Sequence, residues 1–185
     1  MNNIIAIVGM CGAGKSVASD ILEEINYKKV YFGGVTMEKL KEECLEVNPQ
    51  NEKMRREKLR KEYGMGAFAE ILLPKIEKLS QNSNVVLDGL YSWDELKILK
   101  DELGDRLCVV AVICDKKIRY QRLSVRDIRP FTYDEARDRD IAEIENIAKA
   151  GPIAYADYYI DNNGDKETYR KRLLKILDDI NERDD

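Results

Sequence analysis

The sequence of 185 residues contains no histidine, and this absence restricts the chemistry that the chain can perform. Its four cysteines (Cys11, Cys44, Cys108 and Cys114) form no Cys-x-x-Cys pair, so the usual Cys/His zinc sites are excluded. Any general base must therefore be a carboxylate or a lysine. Cys108 and Cys114 share one face of a predicted strand, where we expect them to be core residues.

The sequence also lacks a long apolar run and a basic N-terminal segment. No stretch approaches the roughly 20 apolar residues of a transmembrane helix. Met1-Asn2-Asn3 carries no basic residue, so we expect a cytoplasmic protein with no signal peptide and no membrane partner. The net charge of −4 argues against nucleic acid as the main partner. One domain over residues 1–185 is expected, and its state as monomer or dimer is left open.

The most informative motif that is present lies near the N-terminus. Residues 9–16 read Gly-Met-Cys-Gly-Ala-Gly-Lys-Ser, a complete Gly-x-x-x-x-Gly-Lys-Ser/Thr phosphate-binding loop. An apolar run precedes it and apolar residues at helical spacing follow it, so the motif connects a strand to a helix N-terminus. Backbone amides and the helix dipole bind phosphate in that setting.

Each position of this loop has an expected role. The residues expected to bind the nucleotide are Gly9, Cys11, Gly12, Ala13, Gly14, Lys15, Ser16 and Val17. Lys15 is expected to reach the β- and γ-phosphates, and the Ser16 hydroxyl is expected to ligate Mg²⁺.

Strands and helices alternate along the rest of the chain. The predicted strands are 3–8, 28–32, 84–89, 107–113 and 158–160. The run 107–113 is apolar enough to be buried on both faces of a parallel sheet. This alternation predicts an α/β fold with a parallel sheet. Ligands collect at the carboxyl ends of such strands, so the loop, Asp88-Gly89 and the segment after Ile113 are expected to converge.

A highly charged, mostly helical segment spans residues 36–80. Asn48-Pro49 and Gly64-Met65-Gly66 are expected to interrupt its helices. Its charges alternate in sign, a pattern that is typical of a solvated helix surface and is equally compatible with a cap over a pocket.

Asp88 is the main acidic candidate of the site, because it ends a predicted strand beside the loop. A carboxylate there can hold Mg²⁺ through water or accept the proton of an attacking hydroxyl. The alternative is a turn or helix-cap aspartate, which Asp-Gly sequences often are.

Arginines recur at helical spacing over 119–129, within a stretch whose helical pattern extends to about Lys149. If the stretch is helical, several guanidinium groups share one face and suit phosphoryl oxygens. The alternative is a solvated basic helix balanced by neighbouring acids. The candidate catalytic residues are Lys15, Asp88, Arg122, Arg126 and Arg139.

With these motifs the chain resembles P-loop kinases of the nucleoside monophosphate kinase group, which includes dephospho-coenzyme A kinase. The matching features are the loop, Asp88-Gly89, Arg-x-x-Arg-Leu-x-x-Arg at 119–126 and Ala-Asp-Tyr-Tyr-Ile-Asp-Asn-Asn-Gly at 156–164. The last resembles an ending common in dephospho-coenzyme A kinases, where it lies near the adenine and implies a base contact for Asn162 or Asn163. Residues 139–146 and 151–154 resemble an archaeal and bacterial group of adenylate-kinase-like proteins.

This resemblance implies a three-layer P-loop NTPase fold with a five-stranded parallel sheet, a helical acceptor-binding insert at 35–80 and an arginine-rich lid at 116–140. It also implies ATP and Mg²⁺ as cofactors, with the metal held by Ser16 and Asp88. The implied activity is transfer of the γ-phosphoryl group to a small nucleotide-like acceptor, such as dephospho-coenzyme A or a nucleoside monophosphate. Whether ATP or GTP is the donor is left open.

Two departures from the adenylate kinase pattern concern the acceptor. Residues 33–37 read Gly-Gly-Val-Thr-Met and lack the Gly-Asp and the following Arg of adenylate kinases, and the aspartate of dephospho-coenzyme A kinases is also missing. Tyr91-Ser92-Trp93 stands where adenylate kinases have Phe-Pro-Arg. We therefore expect either a different acceptor or binding by other residues, such as Asp88, Arg55 or Arg60.

Two other functions are compatible with the loop. The first is a regulatory NTPase switch that acts on a protein partner, although the Asn-Lys-x-Asp guanine signature is missing. The second is a polynucleotide-end kinase, which the acidic charge balance disfavours.

Overall fold

Five parallel strands form the single sheet of the described structure, a computed structural model that covers residues 2–182. Met1 and residues 183–185, which the expected domain range includes, lie outside the described residues. The strands are β1 (Ile4–Val8), β2 (Lys28–Tyr31), β3 (Val85–Asp88), β4 (Leu107–Ile113) and β5 (Tyr158–Asp161). Their order is β2-β3-β1-β4-β5, and every neighbouring pair is parallel. The predicted α/β fold is confirmed.

Helices fill the intervals between the strands. They are α1 (Lys15–Glu24), α2 (Gly33–Glu42), α3 (Pro49–Tyr63), α4 (Ala67–Ser80), α5 (Trp93–Leu103), α6 (Lys116–Ser124), α7 (Tyr133–Ile147), α8 (Ala150–Ala154) and α9 (Lys166–Glu182). The expected break at Asn48-Pro49 is the start of α3, where the Asn48 side chain accepts a hydrogen bond from the Asn51 amide. Pro49 occupies the first helical turn, where its missing N–H is not needed.

Alternation along the strands divides the core between the two faces of the sheet. In β1, Ile4, Ala6 and Val8 pack on one face with residues of α4 and α5. Ile5 and Ile7 pack on the other face with residues of α1 and α9. The sheet therefore lies between two helical layers, as the three-layer expectation required.

The structure differs from the sequence-based description of the arginine-rich stretch. Helix α6 ends at Ser124, and residues 125–132 form a loop in which the Phe131 amide donates to the Leu123 carbonyl. Pro130 cannot continue a helix through this stretch, and Thr132 begins α7 with a capping box to Glu135. The arginines at 119, 122, 126 and 129 therefore do not form one helical stripe.

Helix α4 belongs to the core layer, although the acceptor insert is expected to span 35–80. Its buried residues are Ala67, Phe68, Ala69, Leu72, Ser80 and Ile76. Helices α2 and α3 contact α4 and each other, and Val35 of α2 and Leu59 of α3 belong to the same core cluster as the residues of α4.

The phosphate loop follows β1, which lies between β3 and β4 in the sheet. β3 pairs with one side of β1 and β4 with the other. The carboxyl end of β1 is therefore the topological switch point, where ligands bind in open parallel sheets. Within residues 2–182, none of the helices has the length and apolar content to cross a membrane.

Candidate nucleotide-binding site

Glycines give the loop its conformation. Gly12 and Gly14 have φ angles of +80° and +101°, which residues with a side chain rarely adopt. A Cβ atom at Gly14 would stand 2.2 Å from Nδ2 of Asn162, so this position also requires a residue without a side chain. Gly14 caps α1 with its backbone, and within residues 2–182 no side chain caps this helix. The first amides of α1 are therefore left to bind an anion.

Three side chains from outside the loop hold its carbonyl groups. Nδ2 of Asn162 donates to the Ala13 carbonyl at 2.8 Å, and the Tyr169 hydroxyl donates to the Gly14 carbonyl at 3.2 Å. Arg119 donates to the Cys11 carbonyl at 3.0 Å. Because these contacts come from the end of β5, from α9 and from α6, three separate elements fix the shape of the loop.

Lys15 folds back over the loop, and its ammonium donates to the Met10 carbonyl at 3.0 Å. Burial, followed by the positive charge of Lys149, lowers the pKa of Lys15 to about 7. The charges of Glu143 and Asp88 act in the opposite direction. Lys15 therefore lies among charged groups from β3, α7 and the turn after α7.

Asp88 ends β3 and pairs in register with Ile7 of β1 on one side and Tyr31 of β2 on the other. Burial raises the pKa of this carboxyl, and the charges of Lys29 and Lys15 oppose the rise. The side chain of Ser92, not of Asp88, caps α5. The helix-cap alternative for Asp88 is therefore excluded.

The donor groups present fit a magnesium nucleotide. Ser16 is exposed in the first turn of α1, and Asp88 is half-buried at the neighbouring strand end. Within the described part of the chain, no group of three or more acidic or cysteine side chains could by itself hold a metal. Mg²⁺ usually takes one or two protein ligands together with substrate phosphates and water, and Ser16 and Asp88 offer one hydroxyl and one carboxylate.

A cluster that the sequence analysis missed lies beside Lys15. Glu143 accepts from Arg139 at 2.7 Å and from Lys149 at 2.5 Å, and Lys149 lies over the Tyr91 ring at 4.5 Å from its centre. Burial raises the pKa of Tyr91. The available signal was the i, i+4 spacing of Arg139 and Glu143.

The other predicted arginines are dispersed. Arg119 faces inward and makes a bidentate pair with Asp140, at 3.0 and 2.7 Å. Arg122 donates to Sγ of Cys114 at 3.4 Å, beside the end of β4. Arg126 is exposed in the loop 125–132. Of the candidate catalytic arginines, the structure brings Arg139 into the cluster beside Lys15.

The Asn162-Asn163 pair lies after β5, with Asn162 beneath the loop. Asn163 accepts from the Asp115 amide at 2.8 Å and donates to its carboxylate at 3.2 Å. These contacts hold the ends of β4 and β5 together at the ligand-binding edge. The expected adenine contact stays a prediction.

Two arginines of α3 pack against the neighbouring helical segments. Arg55 is 7% exposed and pairs with Glu43 at 3.1 Å, and Arg60 lies 5.4 Å from the centre of the Phe68 ring. The Nε atoms of Arg55 and Arg60 are buried without a hydrogen-bond partner in the described structure. Burial lowers the pKa of Arg60. Buried arginines of this kind show that one face of α3 is packed. This favours the interpretation of the segment as a cap and disfavours that of a fully solvated helix.

Comparisons with known proteins place the chain in sequence and structural families. A sequence profile described as an AAA domain matches residues 5–143. The UPF0200 protein of Thermococcus kodakarensis is 31% identical over 181 residues, which cover 96% of this chain and 97% of that protein. The UPF0200 protein of Thermococcus onnurineus is 32% identical, with 96% and 97% covered.

Two solved structures share the fold. Shikimate kinase from Bacteroides thetaiotaomicron superposes with a TM-score of 0.61 at 18% identity, covering 95% of this chain and 98% of that one. Dephospho-CoA kinase from Campylobacter jejuni superposes with a TM-score of 0.55 at 16% identity, covering 97% of each chain. At these identities the likeness establishes a P-loop kinase fold.

Proposed function

The chain belongs to the AAA-domain family and to the UPF0200 proteins, and from that membership we propose that it is a phosphotransferase that uses ATP and Mg²⁺. The proposed reaction moves the γ-phosphoryl group to a small, nucleotide-like acceptor. The observation that carries the proposal is the complete phosphate loop, with Lys15 over it and Asp88 at the end of the adjacent strand. Two kinases have a similar fold, and this similarity supports the proposal as far as the fold is concerned.

The proposed roles follow from position. Gly9, Cys11, Gly12, Ala13, Gly14 and Val17 bind the donor phosphates through their backbone amides. Lys15 binds the β- and γ-phosphates, and Ser16 and Asp88 hold the metal. Bound Mg·ATP supplies the phosphoryl group and neutralises part of its charge. Arg139, together with Arg122 and Arg126 when the lid closes, stabilises negative charge on the migrating group.

We propose two mobile parts around this site. The lid comprises residues 116–140, whose loop 125–132 contacts α3 through Arg129 and Glu52 at 3.2 Å. The acceptor side comprises α2 and α3, because the inward arginines of α3 suit an anionic acceptor. Closure of the two parts would exclude water, which otherwise competes as the acceptor.

An acceptor screen tests this function. Purified protein is incubated with ATP, Mg²⁺ and one candidate acceptor, either dephospho-coenzyme A or a ribo- or deoxynucleoside monophosphate, and release of ADP is followed. We expect one acceptor class to accelerate release by at least about a hundredfold over hydrolysis, since positioning contributes strongly in such reactions.

The matched variants are Lys15→Met and Lys171→Met, and Lys171 lies on α9 with a side chain that is 74% exposed. Lys15→Met should abolish turnover, whereas Lys171→Met should leave it unchanged. Turnover at the wild-type rate in Lys15→Met would contradict the proposal. Slow hydrolysis that only a protein partner accelerates would identify a regulatory switch, and competition by oligonucleotides would identify a polynucleotide-end kinase.

A further inference from the structure

A buried carboxylate joins two cations beside the phosphate loop. Oε1 of Glu143 accepts from Nε of Arg139 at 2.7 Å, and Oε2 accepts from Nζ of Lys149 at 2.5 Å. The side chains of Glu143 and Lys149 are 6% and 2% exposed, whereas that of Arg139 is 47% exposed. Two members of the cluster are therefore fixed in the interior, and the third reaches outward from them.

Lys149 is held by several independent contacts. Its backbone amide donates to the Glu143 carbonyl at 3.1 Å, beyond Ala148, which has a φ angle of +50°. Its ammonium lies 4.5 Å from the centre of the Tyr91 ring, in cation–π contact. At Gly151 the chain then passes so close to Trp93 that a Cβ atom would stand 2.9 Å from the indole. The position of the lysine is therefore set by the β3–α5 connection as well as by α7.

The charges of the cluster do not cancel. One carboxylate lies between two cations, so the group of Arg139, Glu143 and Lys149 carries a net positive charge of one. Without Lys149, Glu143 would neutralise Arg139. Such a buried carboxylate is tolerated only when it is paired, and here it is paired on both oxygens.

Arg139 uses only part of its hydrogen-bonding capacity. Its Nε atom donates to Glu143, and within residues 2–182 its two terminal nitrogens donate no hydrogen bond. These nitrogens form the planar fork that binds phosphoryl or carboxylate oxygens in pairs. Because its Nε atom is fixed and its terminal nitrogens are unused, Arg139 is oriented to bind an anionic ligand.

The cluster lies beside the phosphate loop. Arg119 donates to the Cys11 carbonyl of the loop at 3.0 Å and also to Asp140, the neighbour of Arg139 on α7. Cys11 packs against the apolar group that includes Ala136, one turn before Arg139 on the same helix. The fork of Arg139 therefore belongs to the same site as Lys15.

We propose that Glu143 and Lys149 are positioning residues for Arg139. Glu143 fixes the orientation of the guanidinium, and Lys149 offsets the charge of Glu143, so that Arg139 presents an uncompensated cation to the γ-phosphoryl oxygens. This inference rests on the proposed function, because it assigns the anion to the transferable phosphate. It adds two residues that touch neither donor nor acceptor.

The test measures how much the γ-phosphate contributes to binding, with no acceptor and no turnover. Calorimetry at pH 6, where Lys15 is protonated with or without the charge of Lys149, gives the dissociation constants of Mg·ADP and of a Mg²⁺ complex of ATP whose β,γ-bridging oxygen is replaced by NH. The ratio of the two constants is the γ-phosphate preference. Lys149→Met should leave Mg·ADP binding within about twofold and lower the preference about tenfold, the size expected for loss of one charge-assisted hydrogen bond.

A second substitution distinguishes positioning from a merely structural ion pair. Adding Glu143→Gln to Lys149→Met removes the buried negative charge but keeps an oxygen that accepts from Arg139, so the preference should return to within about threefold of wild type. The matched surface pair, Lys171→Met with or without Glu167→Gln, should leave the preference unchanged.

Several results would overturn the inference. One is a γ-phosphate preference that Lys149→Met leaves intact at pH 6, and another is a preference that Glu143→Gln does not restore. If Lys149→Met fails to fold, Arg139→Met at the half-exposed position still tests the proposal, and an unchanged preference in that variant overturns it. Failure of wild type to bind either nucleotide would instead refute the proposed function, so the two failures are distinguishable.

Discussion

Lys15 and Asp88 show how burial at a strand edge changes the chemistry of ordinary side chains. Lys15 begins α1 after the loop that follows β1, and Asp88 ends β3, which pairs with β1. Burial disfavours the charged form of each, so the pKa of Lys15 falls to about 7 and that of Asp88 rises. Each group is therefore sensitive to the arrival of an opposite charge, such as a phosphate or a metal ion.

This sensitivity predicts proton uptake on nucleotide binding. At pH 8.5 the free protein holds Lys15 largely neutral, because its pKa is about 7. Phosphate oxygens favour the ammonium, so bound nucleotide raises the pKa, and binding of Mg·ATP should take up about one proton at pH 8.5 and almost none at pH 6. Calorimetry in buffers of different ionisation enthalpy measures the uptake.

Lys15→Met provides the control for this measurement, because Lys149 also has a lowered pKa. Uptake that persists at full size in Lys15→Met would assign the proton to another group. Uptake that is equal at pH 6 and pH 8.5 would contradict the lowered pKa of Lys15.

Several residues of the site were not predictable from the sequence. Glu143 and Lys149 fall in a charged helix and its terminal turn, where the pattern indicates solvent exposure, yet tertiary packing against Tyr91 buries both. Arg119 matched a phosphate-facing stripe, but Asp140 lies opposite it across the α6–α7 pair. A single sequence shows which residues are charged, and only the packing shows which charges meet.

Whole elements were predicted better than single contacts. The strand boundaries agree within one or two residues because continuous apolar runs and the glycine or asparagine beside them mark buried strands. The end of α6 was missed because Val125 and Ile128 continue a helical pattern, although they are 74% and 77% exposed. Pro130 was the signal that the helix had to end before it.

The pairing of α6 with α7 predicts a large effect of a substitution at Asp140. Asp140→Asn leaves the buried Arg119 without its charged partner, and breaking a buried pair in this way destabilises proteins by about 3–5 kcal/mol. The free energy of unfolding from urea titration measures the change. The exposed Asp138→Asn on the same helix is the control and should change stability little. An equal, small effect of both substitutions would show that the buried pair does not stabilise the packing of α6 against α7.

A second contact between elements predicts how the lid loop opens. Arg129 in the loop 125–132 pairs with Glu52 of α3, and this contact lowers the pKa of Glu52. Glu52→Gln should increase the opening of this loop by up to about fivefold, the range of a partly exposed ion pair. Amide hydrogen exchange over 125–132 measures the opening.

The control for this prediction is Glu57→Gln on the exposed side of α3, which should leave the exchange unchanged. High salt should reduce the difference between Glu52→Gln and wild type, since screening weakens the same ion pair. Exchange over 125–132 that is identical in all three proteins would show that the Arg129–Glu52 pair does not restrain the loop.

At the scale of the whole molecule, the fold brings the dispersed motifs to one edge of the sheet. The loop, Asp88 and Asn162 are separated by more than 70 residues along the chain, yet all follow strands whose carboxyl ends share that edge. The sequence predicted this convergence because parallel topology alone requires it. Which side chains then face a ligand depends on packing between the layers. Those contacts between side chains could not be predicted from a single sequence.

This convergence links nucleotide binding to the stability of the entire chain. The loop is held by side chains from α6, α9 and the end of β5, so its shape exists only when both helical layers are assembled. A ligand that binds only the folded loop stabilises the protein by about 2.7 kcal/mol at a hundredfold excess over its dissociation constant. For a chain of this size we expect a rise in Tm of about 5–10 °C with Mg·ATP.

Lys15→Met should fold but show little of this rise at the same nucleotide concentration, because it lacks the cation that binds the β- and γ-phosphates. Lys171→Met on α9 should keep the full rise, which separates loss of binding from a general effect of removing a lysine. Differential scanning calorimetry with and without Mg·ATP measures all three proteins. An equal rise in Tm in Lys15→Met and wild type would place nucleotide binding away from the loop. The proposed catalytic site at the loop would then be wrong.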